Sequence, residues 1–358
     1  MYSEDLPLLC CPISREPLEV SSVTQTDDDG EILEGELVSV GSGHSYQITT
    51  GIPRFVIVQS YNETWDYKWK EIDRGKGLNY KIVDKSDPAY AMHDIFDRNS
   101  HHGVAFDHAR GKLVLDIGCG IGQYSWRIVK EFSPKKIVSF DLTSGVDIFR
   151  QIMLERFPDY KSKILMVQGS VFQMPFPAES FDYVFSLGVL MHTGDTREAI
   201  RQAAKVVKPD GELNIWVYAA APVHIDVREA GRKVDHTLLS FLPYQAYYAW
   251  VMFQVNLFRR LPHRFSVRII RWFSSDLWYF VSKIPILRIL ARIIFSSVMH
   301  PDRDYRFINN YDGWCNTWAD TWTEQELFSV LREQNIVILG ISDWRTGLWG
   351  KKLIGFYP

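Results

Sequence analysis

Asp116, Gly118, Gly120 and Gly122 alternate through Leu113-Val114-Leu115-Asp116-Ile117-Gly118-Cys119-Gly120-Ile121-Gly122, an apolar run that turns through glycine toward a helix. Such a turn lets backbone approach a ligand closely and presents free N–H groups at a helix start. The spacing is not the G-x-G-x-x-G of nicotinamide and flavin folds, and it places a carboxylate just ahead of the first glycine. A carboxylate there suits a ligand with a cationic amino end better than a pyrophosphate. Asp141 closes the next apolar run, Ile137-Val138-Ser139-Phe140, where a carboxylate can accept hydrogen bonds from both hydroxyls of a ribose. Gln168-Gly169-Ser170-Val171 closes a third run and Phe181-Asp182 opens a fourth. A ligand lying across the carboxyl ends of these runs would meet all three sites at a topological switch point. His192 follows the fourth run and can serve as a general base near neutral pH; a local bond that shapes its loop is the alternative. Asp195 reads as a helix cap. Tyr218, ending the fifth run, either faces the site or packs.

These residues need strands to carry them. Apolar runs at Leu113–Ile117, Ile137–Phe140, Ile164–Val167, Tyr183–Ser186 and Leu213–Tyr218 are separated mostly by helix-length segments, the signature of a parallel sheet covered by helices. The alternation lapses after residue 221 and resumes with a helix over Thr323–Asn335, where Thr323 and Glu326 have capping-box spacing. Ile336–Trp344 and Leu353–Tyr357 are expected as the last strands. The fold class is therefore α/β, a Rossmann-like seven-stranded sheet with helices on both faces. Residues 111–221 and 306–358 form its core, and 222–305 are a helical insertion after the fifth strand. Residues 58–110 are a helical lead-in that can cover the site. Residues 1–57 are a small β-rich module, with strand-like runs Leu18–Val20, Glu36–Val40 and Ser45–Ile48 and an acidic turn at Asp27-Asp28-Asp29-Gly30.

At 358 residues with 46% hydrophobic content, the chain can bury a large core with substantial additions. A net charge of −3 argues against a surface built throughout for nucleic acid. Cys10, Cys11, Cys119 and Cys315 give no disulfide framework or paired zinc motif, as in a reducing compartment. The acidic start, Met1-Tyr2-Ser3-Glu4-Asp5, lacks the basic segment of a signal peptide. The expected location is cytoplasmic, with membrane association through the insertion as an addition.

The segments "LDIGCGIG", "MPFPAESFDYVFS", "GVLMHTGD" and "VVKPDGELNIWVY" resemble the class I S-adenosylmethionine-dependent methyltransferases, the type 11/25 subgroup in particular. The resemblance covers 110–220 densely and 306–358 loosely. It implies S-adenosyl-L-methionine as cofactor. It also implies that Asp116, Gly118 and Gly120 surround the donor's methionine end, that Asp141 holds the ribose, that Ser170 and Val171 border the adenine, that Leu187 lies by the sulfonium, and that Cys119, Gln123 and Leu142 complete the cofactor-binding set. Many relatives carry Asp where this chain has Ser170, which leaves the adenine contact to a hydroxyl or to backbone. Leu9-Cys10-Cys11-Pro12-Ile13-Ser14, with Gly51-Ile52-Pro53, is similar to zinc-ribbon-like modules that precede some methyltransferases. Ser14 stands where the second thiolate of a C-P-x-C knuckle is needed, so a metal-free remnant is expected and no metal ligand is assigned.

On the acceptor side, Trp314, Trp318 and Trp322 interleave with Asp312, Asn316 and Asp320. That pattern suits a wall that stacks on a sugar or flat ring, or a loop packed under the insertion. Trp65 and Trp69 can close the same pocket. The insertion holds an uncharged stretch, Leu238–Phe258, interrupted by Pro243, Gln245, Gln254 and Asn256, which argues against a bilayer span. Beyond it, Arg264, Arg268 and Arg271 share a helix face flanked by Phe265, Ile269, Trp272 and Phe273, and Arg288 and Arg292 repeat the device. Such helices serve as a lid over a site or as a peripheral membrane contact through 238–300. The expected function is methyl transfer, at oxygen, to a small-molecule, glycan or lipid-linked acceptor. An RNA-base methyltransferase and a catalytically silent binding protein on the same fold are the competing readings.

Overall fold

The computed structural model describes residues 1–56, 63–74, 105–219, 250, 253–254, 256–258, 260–284, 287, 302–315, 319–342 and 347–354. At the N-terminus β1 (Leu18–Thr26), β2 (Ile32–Ser39), β3 (Ser45–Thr49) and β4 (Ile52–Pro53) form an antiparallel sheet in sequence order. Asp27 closes the first turn, its Oδ1 accepting the N–H groups of Asp29 at 3.1 Å and Glu31 at 2.8 Å, an Asx turn. β1 outlasts the expected Leu18–Val20 because its polar end is mostly exposed and bulged; an edge ladder with no face to bury needs no apolar alternation.

The main sheet contains β5 (Leu113–Ile117), β6 (Lys136–Asp141), β7 (Ile164–Gln168), β8 (Phe181–Leu187) and β9 (Val207–Trp216). A short parallel pair, β10 (Tyr218–Ala219) and β11 (Thr321–Trp322), follows apart from it, and then β12 (Ile336–Ile341) and β13 (Gly347–Lys352) complete it. The order is β12-β13-β9-β8-β5-β6-β7, with β13 alone antiparallel to its neighbours. The expected Rossmann-like seven-stranded sheet is thus present. Its last strand falls at Gly347–Lys352 rather than Leu353–Tyr357, of which 355–357 lie outside the described residues. Two glycines and two lysines mark that segment as weak for a strand, and pairing on both sides by β9 and β12 overrides the propensity.

Helices α1 (Glu63–Arg74), α2 (Ser125–Phe132), α3 (Gly145–Arg156), α4 (Thr196–Val206), α5 (His263–Ile269), α6 (Trp278–Val281), α7 (Arg303–Cys315) and α8 (Glu324–Glu333) surround the strands, and a π-helical segment Ile270–Leu277 joins α5 to α6. Asp195 and Thr323 cap α4 and α8 as expected, the latter with the full capping box. Side chains alternate across the parallel strands. Leu115, Ile117, Val138, Phe140, Leu165 and Val167 pack with Ala199, Ile200 and Ala203 of α4 and with Leu9, Leu37, Ile48 and Phe55 of the N-terminal sheet. Val114, Ile137, Ile164 and Met166 pack with Ile128, Phe149 and Met153 on the other face. The N-terminal sheet therefore shares the core. Phe55 N–H donates to the Gln168 carbonyl at 2.8 Å and Cys10 N–H to the Pro175 carbonyl at 2.9 Å. The Arg15 guanidinium donates to the carbonyls of Met174 and Phe176.

Candidate active site

Strand order reverses at β5, whose neighbours are β6 and β8, so ligands are expected at the carboxyl ends of these strands. The chain leaves β5 through Gly118, with φ +80°, and Gly120, with φ +53°. Both lie in the left-handed region that side chains rarely adopt. A Cβ on Gly118 would stand 2.3 Å from the Val189 side chain, and one on Gly120 would stand 2.7 Å from the Trp69 ring. The turn is pinned to β6, because Gly118 N–H and Cys119 N–H both donate to the Phe140 carbonyl, at 2.7 and 3.1 Å.

Asp141, at the end of β6, ties this turn together. Its Oδ2 accepts Gly120 N–H at 2.7 Å, and its Oδ1 accepts Thr143 N–H at 2.8 Å and Thr143 Oγ1–H at 2.6 Å. Asp116 lies deeper, with its Oδ2 accepting the Ser125 hydroxyl at 2.6 Å. Burial, helped by the charge of Asp141, pushes the Asp116 carboxyl up to about 8 despite that bond. Asp141 is likewise raised by burial, against the bonds from Thr143 and Gly120. Two neighbouring buried carboxylates with raised affinity for protons form a site that favours positive charge or hydroxyl donors. This chemistry fits a ligand with an ammonium group, a cationic sulfur and a ribose.

The other residues expected on the donor side lie at or just past the carboxyl ends of β5, β6, β7 and β8. Gln123 and Leu142 are half-buried, and the Leu142 carbonyl accepts Gln168 Nε2–H at 3.1 Å. Cys119 is buried, and its thiol is pushed well above its usual range by burial. Ser170 Oγ accepts Phe172 N–H, which makes it the cap of the short helical turn that begins at Val171. Leu187 ends β8, buried.

Most of the residues expected on the acceptor side come together from three separate segments. α1 lies across the glycine turn, where Asp66 Oδ1 accepts both the N–H and the hydroxyl of Ser144, at 2.8 and 2.9 Å, at the start of α3. Trp65 and Trp69 are tilted against each other at 6.1 Å. Trp65 then meets the His192 ring edge-on at 4.9 Å, His192 meets Tyr218 at 5.2 Å, and Tyr218 meets Trp216 at 5.4 Å. A row of five rings therefore runs from the glycine turn through β10 to the end of β9, with His192 buried at its centre. Lys68 stands over both tryptophans and donates to Asp312 Oδ2 at 2.9 Å.

Trp314 is placed differently. It is buried and packs on Phe258 at 5.2 Å, in an apolar cluster with Ile121, Ile148 and Tyr311 that Trp69 also touches. Asp320 Oδ2 accepts the Thr196 hydroxyl at 2.8 Å. Asp312 and Asp320 are thus engaged within the protein. Trp318 and Asn316 lie outside the described residues, as do Arg288, Arg292 and most of Leu238–Phe258. Asp66, Lys68, Val189 and Trp216 were not singled out from sequence. The Trp65-x-x-x-Trp69 spacing, which puts both rings on one helix face, was the available pointer to α1.

At the N-terminus, Cys11 Sγ accepts Ser14 N–H at 3.3 Å and lies 3.1 Å from the Tyr46 hydroxyl. Hydrogen bonds from Ser14 and Tyr46 outweigh its desolvation and draw the thiol down to about 6. Among the described residues no group of three His, Cys, Asp or Glu is arranged to hold a metal.

Residues 115–215 match the family model described as "Methyltransferase domain". Similar curated proteins include the sterol 24-C-methyltransferase erg6 of Aspergillus fumigatus, 30% identical over 35% of this chain and 32% of its own length. The tRNA U34 carboxymethyltransferase of Campylobacter hominis is 36% identical over 30% and 36%. The 27-O-demethylrifamycin SV methyltransferase of Amycolatopsis mediterranei is 30% identical over 38% and 52%. The chain thus spans about a third to a half of the length of these relatives. Their named acceptors differ, whereas the matched stretch holds the glycine turn, Asp116, Asp141 and His192.

Proposed function

We propose that the chain is an S-adenosylmethionine-dependent methyltransferase acting on an oxygen of a small-molecule, glycan or lipid-linked acceptor. The observation that carries this reading is the glycine turn with two buried carboxylates at the switch point of the sheet, inside the stretch that matches the methyltransferase-domain model. Asp116, Gly118, Cys119, Gly120 and Gln123 would hold the donor's methionine end, Asp141 and Leu142 the ribose, Ser170 and Val171 the adenine side, and Leu187 the region of the sulfonium. When bound, S-adenosylmethionine supplies a methyl group already activated by a cationic sulfur.

The chain's own task is then alignment and proton removal. As a bond forms between the acceptor oxygen and the methyl carbon, and the carbon–sulfur bond breaks, the hydroxyl proton needs a destination. His192 takes it, held edge-on between Trp65 and Tyr218. The row Trp69, Trp65, Tyr218 and Trp216 excludes water and offers faces for a ring-shaped or partly apolar acceptor. In this reading the helical insertion is a cap, and the N-terminal module is a metal-free brace on the core. Calorimetric titration with S-adenosylmethionine and with S-adenosylhomocysteine tests the proposal: micromolar binding of both is expected, and heat with neither overturns it.

A further inference from the structure

The helical segment from α5 to α6 has two unlike sides. Ser266, Ile270, Ser274, Ser275 and Ser282 are buried, and α7 packs against the π-helical segment, where Arg306 Nε donates to the Ser275 carbonyl at 2.7 Å. On the other side Phe265, Arg268, Trp272, Leu277, Phe280 and Ile284 are exposed, in steps of three, four, five, three and four residues. The five-residue step falls within the π-helical segment, whose wider turn keeps Leu277 in line with Trp272. The aromatic members are 59%, 65% and 63% exposed at Phe265, Trp272 and Phe280. Single exposed apolar residues are ordinary, but three aromatic rings and two aliphatic side chains in one stripe are not.

Within residues 260–284 the exposed Arg and Lys side chains face no exposed acid. Arg260, Arg264, Arg268 and Lys283 are exposed along the same segment. The acids facing it are largely engaged by other cations, Asp276 by Arg303 at 2.7 Å and Glu71 by Arg271 at 2.6 Å; Asp302 and Asp304 stand at the start of α7.

We infer that this stripe docks the protein on an anionic lipid surface. The segment lies in the plane of the interface, its rings at the boundary of headgroups and acyl chains and its arginines and lysine on lipid phosphates. A stripe that is apolar but for Arg268, with Arg260, Arg264 and Lys283 beside it, matches a bilayer better than nucleic acid, where cations dominate the contact and aliphatic side chains add little. Docking also bears on the acceptor site. Arg271 points inward from the same segment to Glu71 on α1, the helix that carries Trp65 and Trp69, so the aromatic row is anchored next to the lipid-facing surface. That link rests on the proposed methyl transfer, but the docking does not.

Co-sedimentation of the full chain with vesicles of phosphatidylcholine alone, and of equal parts phosphatidylcholine and phosphatidylglycerol, tests the inference. Partition onto the mixed vesicles, weakened by salt, is expected. The pairs Trp272→Ala with Phe280→Ala and Arg264→Glu with Arg268→Glu are each expected to weaken it by about tenfold or more. All four side chains are exposed, so thermal unfolding should stay close to that of the parent. No partition, equal partition onto neutral vesicles, or partition unchanged in both variants overturns the inference, as does retention on RNA without retention on vesicles. Donor calorimetry on the same preparations separates the two ideas: donor binding without vesicle binding removes only the docking, and vesicle binding without donor binding removes only the methyl transfer.

Discussion

Around Asp141 the bonds come from near neighbours, Thr143 two residues on and Gly120 one strand earlier. Around His192 the ring contacts come from α1 and β10, which lie far before and after it in the chain. The proposed donor half of the site is thus centred within one stretch of the chain, on the turns that follow β5 and β6. The acceptor half exists only once distant segments have packed. The contrast explains why the matched family stretch, 115–215, takes in the first half and His192 but stops short of Trp65, Trp69 and Tyr218. Relatives with sterol, tRNA and rifamycin acceptors can share the local half while differing in the assembled one.

The largest expected effect is on the local half. Gly118→Ala places a Cβ against Val189 at a φ of +80°, a strain of about 1–2 kcal/mol from the backbone alone. Donor binding should fall by about a hundredfold or more, to the edge of calorimetric detection. Adding Val189→Gly removes all three close atoms but leaves the φ, so partial recovery in the double variant would separate the two causes. Unchanged binding in Gly118→Ala would show that the turn does not touch the donor.

His192→Ala tests the junction of the halves. Removing a general base typically lowers turnover by about 10²–10⁴-fold, while the donor Kd should stay within about twofold because the bonds to Asp141 and Asp116 are untouched. A kcat within a few fold of the parent would leave His192 only a packing role.

The same contrast governs what could be read from sequence. The first five strand runs, the glycine turn and the place of Asp141 at a strand end were legible because apolar periodicity and turn chemistry act over a few residues. The caps at Asp195 and Thr323 were legible for that reason too. Ser170 was legible only as a departure; its cap on the turn at Val171 became apparent with the backbone in place. The bond from Asp66 to Ser144 joins two helices that no local signal relates. The strand Gly347–Lys352 has poor propensity and exists through pairing with β9 and β12. The N-terminal module is legible as a small β-rich unit, and its apolar face completes one side of the main core. A short sheet with one apolar face must bury it somewhere, but the sequence does not carry the address.

Trp65→Ala probes the assembled half alone. The variant loses edge-on contact with His192 and the tilted contact with Trp69, each worth about 0.5–1.5 kcal/mol beyond burial. Acceptor KM should rise by about tenfold, with donor Kd unchanged. A loss of donor affinity equal to the loss of acceptor affinity would show that α1 serves both ligands and that the division between the halves fails.

The last effect concerns a single proton within the local half. Asp116 binds its proton more tightly in the folded protein, with its carboxyl pushed up to about 8 by burial first and by Asp141 second, than in the unfolded chain, where a free aspartate titrates near 3.9. Between those values the folded state holds the extra proton, so the group's contribution to stability is fully present below about pH 4 and is lost as pH rises through about 8. The slope from one group is at most about 1.4 kcal/mol per pH unit. Asp141 shifts in the same direction, so the measurement must be a difference. Urea unfolding of the parent and of Asp116→Asn, which keeps an acceptor for the Ser125 hydroxyl, should diverge steadily from pH 5 to pH 8, the parent losing ground. A cationic donor gives Asp116 a reason to ionise, and calorimetry near pH 7 in buffers of different ionisation enthalpy should then detect proton release on binding. Parallel unfolding curves and no proton release would mean that Asp116 is ionised throughout, already balanced by charge within the protein, and that the turn offers the donor a backbone cradle without an electrostatic one.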